Sequence, residues 1–122
     1  MPKRILIIDD DEDILDLLNL ILKEEGYEVV ISNTAETANH IQGINPDLIL
    51  LDIRINGSVK HGDQICSEIK SSTVSEMLPV ILLSAELDVD IIAKKCGADA
   101  YINKPFDVNK LIEKINQITN RC

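Results

Sequence analysis

The chain has 122 residues, a length that fits one compact domain and leaves no room for a second, so we expect residues 1–122 to form a single domain. Hydrophobic residues make up 45% and charged residues 27%, which argues against wholesale disorder, and the 2% of aromatics leaves Ile, Leu and Val to build the core. The net charge of −9 argues against direct binding to nucleic acid or to an anionic membrane surface.

Short apolar runs alternate with helical stripes along the whole chain. The runs predict strands at Ile5–Ile8, Tyr27–Ile31, Leu48–Ile53, Val80–Leu83 and Ala100–Ile102. The stripes predict a helix from about Ile14 that stops at Gly26, a short helix over Ala35–Gln42 closed by Gly43, a helix over Gln64–Ser71, a helix from Val89 to Cys96 ending at Gly97, and a last helix from Val108 to Ile118.

This alternation of strand and helix, repeated five times, predicts an α/β fold with a parallel sheet covered by helices on both faces. We expect a flavodoxin-like, doubly wound (βα)5 architecture with strand order 2-1-3-4-5 and the less apolar Tyr27–Ile31 at an edge. No apolar run is long enough to span a bilayer, and no signal peptide precedes the first strand. We therefore expect a cytoplasmic protein without membrane contact.

The three cysteines, Cys66, Cys96 and Cys122, are odd in number and widely spaced. They fit neither a disulfide framework nor a zinc site. Cys66 and Cys96 fall in segments with helical spacing, and we expect both to be small packing residues.

Chemically reactive side chains stand at the ends of four predicted strands. Asp9 and Asp10 follow the first strand, Asp52 the third, Ser84 the fourth and Lys104 the fifth. In a doubly wound sheet these ends meet at the switch point where ligands bind. Clustered carboxylates repel one another, and Mg²⁺ relieves that repulsion with the oxygen ligands it prefers. A lysine and a hydroxyl nearby complete a site for a phosphoryl group.

A plainer interpretation exists for each residue taken alone. The acidic run before the first helix could cap that helix and compensate its dipole, and we expect Asp11 or Glu12 to do so. Ser84 could be a turn residue and Lys104 a solvated surface lysine. Their coincidence at one edge of the sheet favours the functional interpretation.

The pairs Asp9-Asp10, Leu51-Asp52 and Ser84-Ala85, followed by Lys104-Pro105-Phe106, resemble the motifs of response-regulator receiver domains in two-component signalling, of the chemotaxis-regulator type. The resemblance covers the chain from Lys3 to about Ile118. It implies a phosphorylation-controlled signalling module that assists its own phosphorylation and dephosphorylation rather than a conventional enzyme.

The resemblance also implies roles for individual residues. Asp52 would accept a phosphoryl group from a histidine kinase or a phosphotransfer protein. Asp9, Asp10, Asp52 and the backbone carbonyl of Arg54 would hold Mg²⁺. Lys104, joined to Pro105 by a cis bond, would contact the phosphoryl oxygens.

Two further residues would form the switch. Ser84 would hydrogen-bond the phosphoryl group, and Tyr101 would change rotamer with it. Together they would alter the surface around the fourth helix, fifth strand and fifth helix, which an unknown output partner or effector domain would read. Tyr101 could instead be a plain packing residue.

The chain departs from the family pattern in two regions. Asn56 stands where the family usually has a proline, and the loop to Gly62 is longer than usual, which predicts a looser exit from the site. Ala100 replaces an acid that many receivers pair with a base on the last helix, about where Lys114 lies. The sequence therefore leaves a monomer and a phosphorylation-dependent dimer both open.

Two other interpretations also stay open. Asp9-Asp10-Asp11 formally matches the Asp-x-Asp motif of haloacid-dehalogenase-like phosphatases, with Asp9 as the nucleophile, although Glu12 then replaces the usual Thr or Val and Asp52 has no role. The chain could also be a receiver-like interaction module that is never phosphorylated, although its complete residue set counts against this.

One pair of charges is expected at the mouth of the site. Arg54 lies two residues after Asp52, and Glu86 lies two residues after Ser84 on the neighbouring strand. Their opposite charges and long stems predict an ion pair that tunes the lifetime of the phosphoryl group. The alternative is that both side chains point into water.

Overall fold

The structure is a computed structural model that describes residues 2–55 and 61–119. Within these residues five strands form one parallel sheet in the order β2-β1-β3-β4-β5, as the sequence predicted. The strands are β1 (Arg4–Ile8), β2 (Glu28–Ser32), β3 (Leu48–Asp52), β4 (Val80–Ser84) and β5 (Ala100–Asn103). Asn56, where the sequence departs from the usual proline, lies outside the described residues.

Helical segments connect the strands. They are α1 (Glu12–Glu24), a 3₁₀ helix (Ala35–His40) that runs directly into α2 (Ile41–Ile44), α3 (Gly62–Ser71), α4 (Val89–Cys96) and α5 (Val108–Ile118). None of the helices in the described part of the chain is long and apolar enough to cross a membrane.

The second helical segment corrects one prediction. The sequence predicted a helix over Ala35–Gln42 closed by Gly43. This prediction was wrong, because Gly43 lies inside α2 and Asn45 caps the end of the segment. Asn45 adopts the left-handed conformation (φ 52°), which asparagine tolerates better than most residues, and its N–H donates to the carbonyl of Ile41 at 2.7 Å. Gly43 therefore is not needed as the cap.

The core lies on both faces of the sheet because the side chains of each strand alternate. One face packs against α3 and α4, and the other against α1 and α5. Every residue of β3 and β4 is buried, as expected for central strands. The edge strands β2 and β5 are only partly covered, which confirms the edge position predicted for the less apolar strand.

The register of the strands brings the predicted site residues to one edge. Ile8 of β1 pairs with Leu51 of β3, so the next residues, Asp9 and Asp52, leave the sheet side by side. In β4, Ser84 pairs with Asn103 of β5, which directly precedes Lys104. The sheet order and register thus produce the cluster that the sequence predicted.

Candidate functional site

Three carboxylates meet at the end of the central strands. One oxygen from each of Asp9, Asp10 and Asp52 can be chosen so that all three lie within 4.8 Å of one another. Asp9 is fully buried and Asp52 is 6% exposed. Such a concentration of negative charge in a poorly solvated place requires positive charge to compensate it.

Both oxygens of Asp9 have partners. Oδ1 accepts a hydrogen bond from the backbone N–H of Asp11 at 2.9 Å, and Oδ2 forms an ion pair with Lys104 Nζ at 2.8 Å. Asp11 in turn caps α1, since its own Oδ1 accepts from the N–H groups of Asp13 and Ile14. Two acids of this run therefore have different roles: Asp11 caps the helix, and Asp9 faces the site.

Lys104 supplies the compensating charge. Its Nζ lies 3.4 Å from Asp52 Oδ1 as well as 2.8 Å from Asp9, and its backbone N–H donates to the Ser84 carbonyl at 2.8 Å. The peptide bond to Pro105 is cis. Burial by itself lowers the pKa of Lys104, but the hydrogen bond to Asp9 and the charges of Asp9 and Asp52 outweigh it and raise the pKa. Lys104 is therefore a fixed cation rather than a solvated surface lysine.

Asp52 is a perturbed carboxylate. Burial, followed by repulsion from Asp9, raises its pKa from 3.8 to about 7, and Lys104 only partly offsets this. A hydrogen bond with Asp10 also contributes to this rise. The site therefore places Asp52 where a second positive charge would be strongly favoured.

Ser84 lies at the same edge and is 2% exposed. Its Oγ accepts a hydrogen bond from the N–H of Glu86 at 2.8 Å, which shapes the loop after β4. Tyr101 lies on β5 opposite Leu82, and its side chain is 40% exposed. It therefore does not belong to the buried cluster, and a switch through Ser84 would have to reach it across β4 and β5.

Gly62 is a residue of the site that the sequence did not reveal. A Cβ at this position would lie 2.1 Å from the carbonyl oxygen of Asp52 and 2.8 Å from its carbonyl carbon. Its N–H donates to the Ile53 carbonyl at 2.7 Å, so the start of α3 rests directly on the end of β3. Only the absence of a side chain permits this approach. Its position before a helical stripe was the one available signal, and it did not show what the glycine touches.

Arg54 and Glu86 form the ion pair that the sequence predicted, between Arg54 Nε and Glu86 Oε1. Their side chains are 72% and 31% exposed, so the pair is in contact with solvent. The alternative that both point separately into water is therefore wrong for this structure.

A family model described as the response regulator receiver domain matches residues 5–116. The chain belongs to this family. Among curated proteins, the DNA-binding response regulator MtrA of Mycobacterium tuberculosis is 31% identical over 118 residues, which cover 94% of this chain and 50% of MtrA. This receiver therefore spans about half the length of the curated relatives it matches.

Solved structures of receivers have the same fold. A CheY-like receiver domain protein from Methanospirillum hungatei is 35% identical with a TM-score of 0.87, and the match covers 98% of this chain and 95% of that one. The receiver domain of NtrX from Brucella abortus is 33% identical with a TM-score of 0.85, covering 97% of this chain and 99% of that one. The flavodoxin-like architecture expected from the sequence is thus confirmed by the relatives as well as by the strand order.

The carboxylate cluster of this receiver fits a magnesium ion. The oxygens of Asp9, Asp10 and Asp52 are hard ligands and lie within 4.8 Å of one another. Burial and repulsion from Asp9 raise the pKa of Asp52, and a cation bound there would offset that repulsion. The backbone carbonyl of Arg54 was predicted as a further ligand, and Arg54 directly follows Ile53. The N–H of Ile53 donates to the Leu83 carbonyl at 3.1 Å. That pairing holds the segment close to the cluster.

Proposed function

We propose that this receiver accepts a phosphoryl group on Asp52 from a phosphohistidine of a histidine kinase or phosphotransfer protein. An oxygen of Asp52 attacks phosphorus as the P–N bond of the phosphohistidine breaks, and the bonding electrons leave with the imidazole. The product is an acyl phosphate. The observation that carries the proposal is the position of Asp52, buried beside Lys104 and two further carboxylates at the end of β3.

The geometry favours Asp52 over Asp9 as the acceptor. Asp9 uses one oxygen for the Asp11 N–H and the other for Lys104 at 2.8 Å, whereas Lys104 lies 3.4 Å from Asp52. Lys104 therefore holds Asp52 less closely than it holds Asp9, and the raised pKa of Asp52 favours nucleophilic attack once the group is ionised. This argues against a haloacid-dehalogenase-like phosphatase that uses Asp9.

Asp9, Asp10, Asp52 and the Arg54 carbonyl would hold Mg²⁺ in this receiver. Bound there, the ion supplies positive charge that offsets the carboxylates and the incoming phosphoryl oxygens. The chain's own part is to orient the group: Lys104 keeps its ammonium between Asp9 and Asp52, in reach of an oxygen on phosphorylated Asp52. Breakdown of the acyl phosphate by water at the same site would reset the module.

The switch is also part of the proposal. On phosphorylation the Ser84 hydroxyl would donate to a phosphoryl oxygen and draw the loop after β4 toward the site, since that loop is tied to Ser84 through the Glu86 N–H. Tyr101, on the neighbouring strand β5 and partly exposed, would then reorient on the surface formed by α4, β5 and α5. The output partner would read this surface.

The output of this receiver lies with a partner or an effector domain in this proposal. MtrA is named as DNA-binding, but this chain spans only half of such relatives. The net charge of −9 repels the phosphates of nucleic acid. We therefore propose that residues 1–122 act as one receiver domain that does not bind nucleic acid itself and that signals through a partner or effector domain. The signalling form would be a monomer or a phosphorylation-dependent dimer.

The test is phosphorylation of the purified protein by a small phosphodonor such as acetyl phosphate, with and without Mg²⁺. We expect the wild type to incorporate phosphate only with Mg²⁺, and Asp52→Asn to incorporate none while keeping its circular dichroism spectrum. Normal incorporation by Asp52→Asn would overturn the assignment, and absence of incorporation in the wild type would favour an inert interaction module.

A further inference from the structure

Two cysteines that lie 30 residues apart in sequence meet between α3 and α4. Cys66 Sγ lies 3.6 Å from the carbonyl oxygen of Cys96, and Cys96 Sγ lies 3.6 Å from the carbonyl oxygen of Ala93 in the same turn of α4. Each thiol is also the largest influence on the pKa of the other. Cys66 is fully buried and Cys96 is 8% exposed, and both belong to the core cluster on this face of the sheet. The sequence predicted packing roles for both, and their mutual contact goes beyond that prediction.

The surrounding contacts hold the two helices in this arrangement. Lys70, one turn after Cys66 on α3, forms an ion pair with Asp99 at 2.7 Å, and the same Asp99 oxygen accepts from the Val80 N–H at 2.8 Å. The Cβ of Gly97, if it had one, would lie 3.5 Å from the Lys70 side chain, so the end of α4 packs closely on α3. The packing of the end of α4 on α3 therefore holds the two cysteines close together.

We propose that Cys66 and Cys96 are a thiol pair that hydrogen peroxide oxidises to a disulfide tying α4 to α3. In the first step the Cys96 sulfur attacks the peroxide O–O bond; an S–O bond forms, and the leaving hydroxide takes up the thiol proton as water. In the second step the Cys66 sulfur attacks the Cys96 sulfur; the S–S bond forms, the S–O bond breaks, and a second water leaves with the Cys66 proton. Each sulfur loses one electron and the peroxide gains two.

The order of the steps follows from the environment of each thiol. Cys96 is the last residue of α4, next to an exposed glycine in the left-handed conformation, so a water-sized oxidant reaches it first. The neighbouring Cys66 thiol, together with the N–H of Ala98, lowers the pKa of Cys96 to about 7, whereas the Cys96 thiol and burial raise the pKa of Cys66. Cys96 is then the thiolate that reacts, and Cys66 the thiol that resolves the product.

The disulfide would restrain α4 because it fixes the last turn of that helix to α3. We expect slower hydrogen–deuterium exchange over Val89–Cys96 and a higher melting temperature in the oxidised form, since the bond also closes a long loop in the unfolded chain. This effect does not depend on phosphorylation, so it can be measured whether or not Asp52 is the phosphoacceptor.

The experiment uses the full chain with Cys122→Ser, which leaves only the two thiols of interest. After hydrogen peroxide in a buffer with a metal chelator, we expect no thiol open to alkylation, a monomer mass lower by two hydrogen atoms, and one non-reduced peptide that joins Cys66 to Cys96. Dithiothreitol should reverse all three. Thiols that stay reduced while glutathione in the same tube is oxidised, sulfinic acids without a cross-link, or cross-links only between chains would each overturn the proposal.

Two single variants in the same background test the roles. Cys66→Ser should trap a sulfenic acid on Cys96 that reacts with dimedone, whereas Cys96→Ser should leave Cys66 reduced. The opposite pattern would contradict the assigned order. Because serine at a buried position can impair folding, each variant is first checked by thermal melting, and the peptide map of the two-thiol protein decides the cross-link by itself.

Discussion

Two groups of opposite charges lie at the same edge of the sheet, and burial separates their roles. Lys104, Asp9 and Asp52 form the interior group, in which Asp9 is fully buried and the Lys104 side chain is 18% exposed. Arg54 and Glu86 form the rim pair, whose side chains are 72% and 31% exposed. In the interior group each charge is stabilised by its neighbours rather than by water, whereas water can take the place of either partner in the rim pair. We therefore expect the interior group to govern stability and chemistry, and we expect changes in the rim pair to alter rates rather than stability.

Removal of the interior cation is the strongest way to break this comparison. Lys104→Met leaves Asp9 and Asp52 buried without their counter-charge, and we expect a loss on the order of 2–4 kcal/mol in the free energy of unfolding without metal. The loss stays below the largest values known for buried pairs because Asp52 can take up a proton. Urea unfolding in a chelator measures it.

The matched control for this change is Lys110→Met on α5, where the lysine is exposed. We expect its effect to stay within about 0.5 kcal/mol. Equal losses in the two variants would show that Lys104 is not held by the interior carboxylates. Magnesium should restore part of the stability of Lys104→Met and none of any loss in Lys110→Met.

The pH dependence of stability sharpens the comparison further. The pKa of Asp52 is about 7 in the folded chain against its ordinary value of 3.8, so the folded state binds this proton more tightly than the unfolded state does. The resulting stabilisation is fully present below the ordinary pKa and is lost as the pH rises through the folded one. Asp52→Asn cannot lose a proton. In a chelator we therefore expect the variant to gain stability relative to the wild type between about pH 4 and pH 8.

Denaturant unfolding of both proteins at several pH values gives this difference directly. Carboxylates far from the cluster titrate alike in both proteins and cancel in the comparison. A stability difference that does not change with pH would show that Asp52 ionises normally, and the interior group would then resemble the rim pair.

Two glycines, Gly62 and Gly43, differ in what a side chain at their positions would meet. Gly62→Ala would place a Cβ 2.1 Å from the Asp52 carbonyl oxygen. The start of α3 must then move, and we expect a cost of about 1–3 kcal/mol together with slower phosphorylation. Gly43 lies inside α2 with nothing within 4 Å of its Cβ position. Gly43→Ala should therefore be neutral or stabilising by up to about 1 kcal/mol.

Thermal melts and acetyl-phosphate labelling of both alanine variants test this contrast. If Gly62→Ala and Gly43→Ala behave alike, the close approach of α3 to Asp52 does not matter for the site.

The rim pair should give the smallest effect on stability and a visible one on kinetics. Arg54→Ala and Glu86→Ala should hardly change the unfolding midpoint, because both side chains are solvated. We propose that the pair flanks the path of water and of the phosphodonor, so each variant should change the half-life of phosphorylated Asp52 severalfold. A double-mutant cycle on that half-life decides whether they act as a pair. Single effects that are absent, or that add in the double variant, would contradict the paired gate.

Features that repeat along the chain could be predicted, and features that depend on a single contact could not. Apolar runs and helical stripes predicted the strand order, and the residues after β1, β3, β4 and β5 then had to meet at one edge. The end of α2 at Asn45 was missed because glycine is the commoner left-handed cap and Gly43 stood nearby. The contact of Gly62 with Asp52 and that of Cys66 with Cys96 depend on how α3 docks, which periodicity does not specify.

The most direct test of the central claim locates the acyl phosphate. The wild type is treated with acetyl phosphate and Mg²⁺, the labile phosphate is exchanged for a stable mark by borohydride reduction, and the marked residue is found by peptide mass spectrometry. We expect the mark on Asp52 and none on Asp9 or Asp10. A mark on Asp9 would indicate phosphatase-like chemistry and would contradict the roles proposed for Asp9, Lys104 and Asp52.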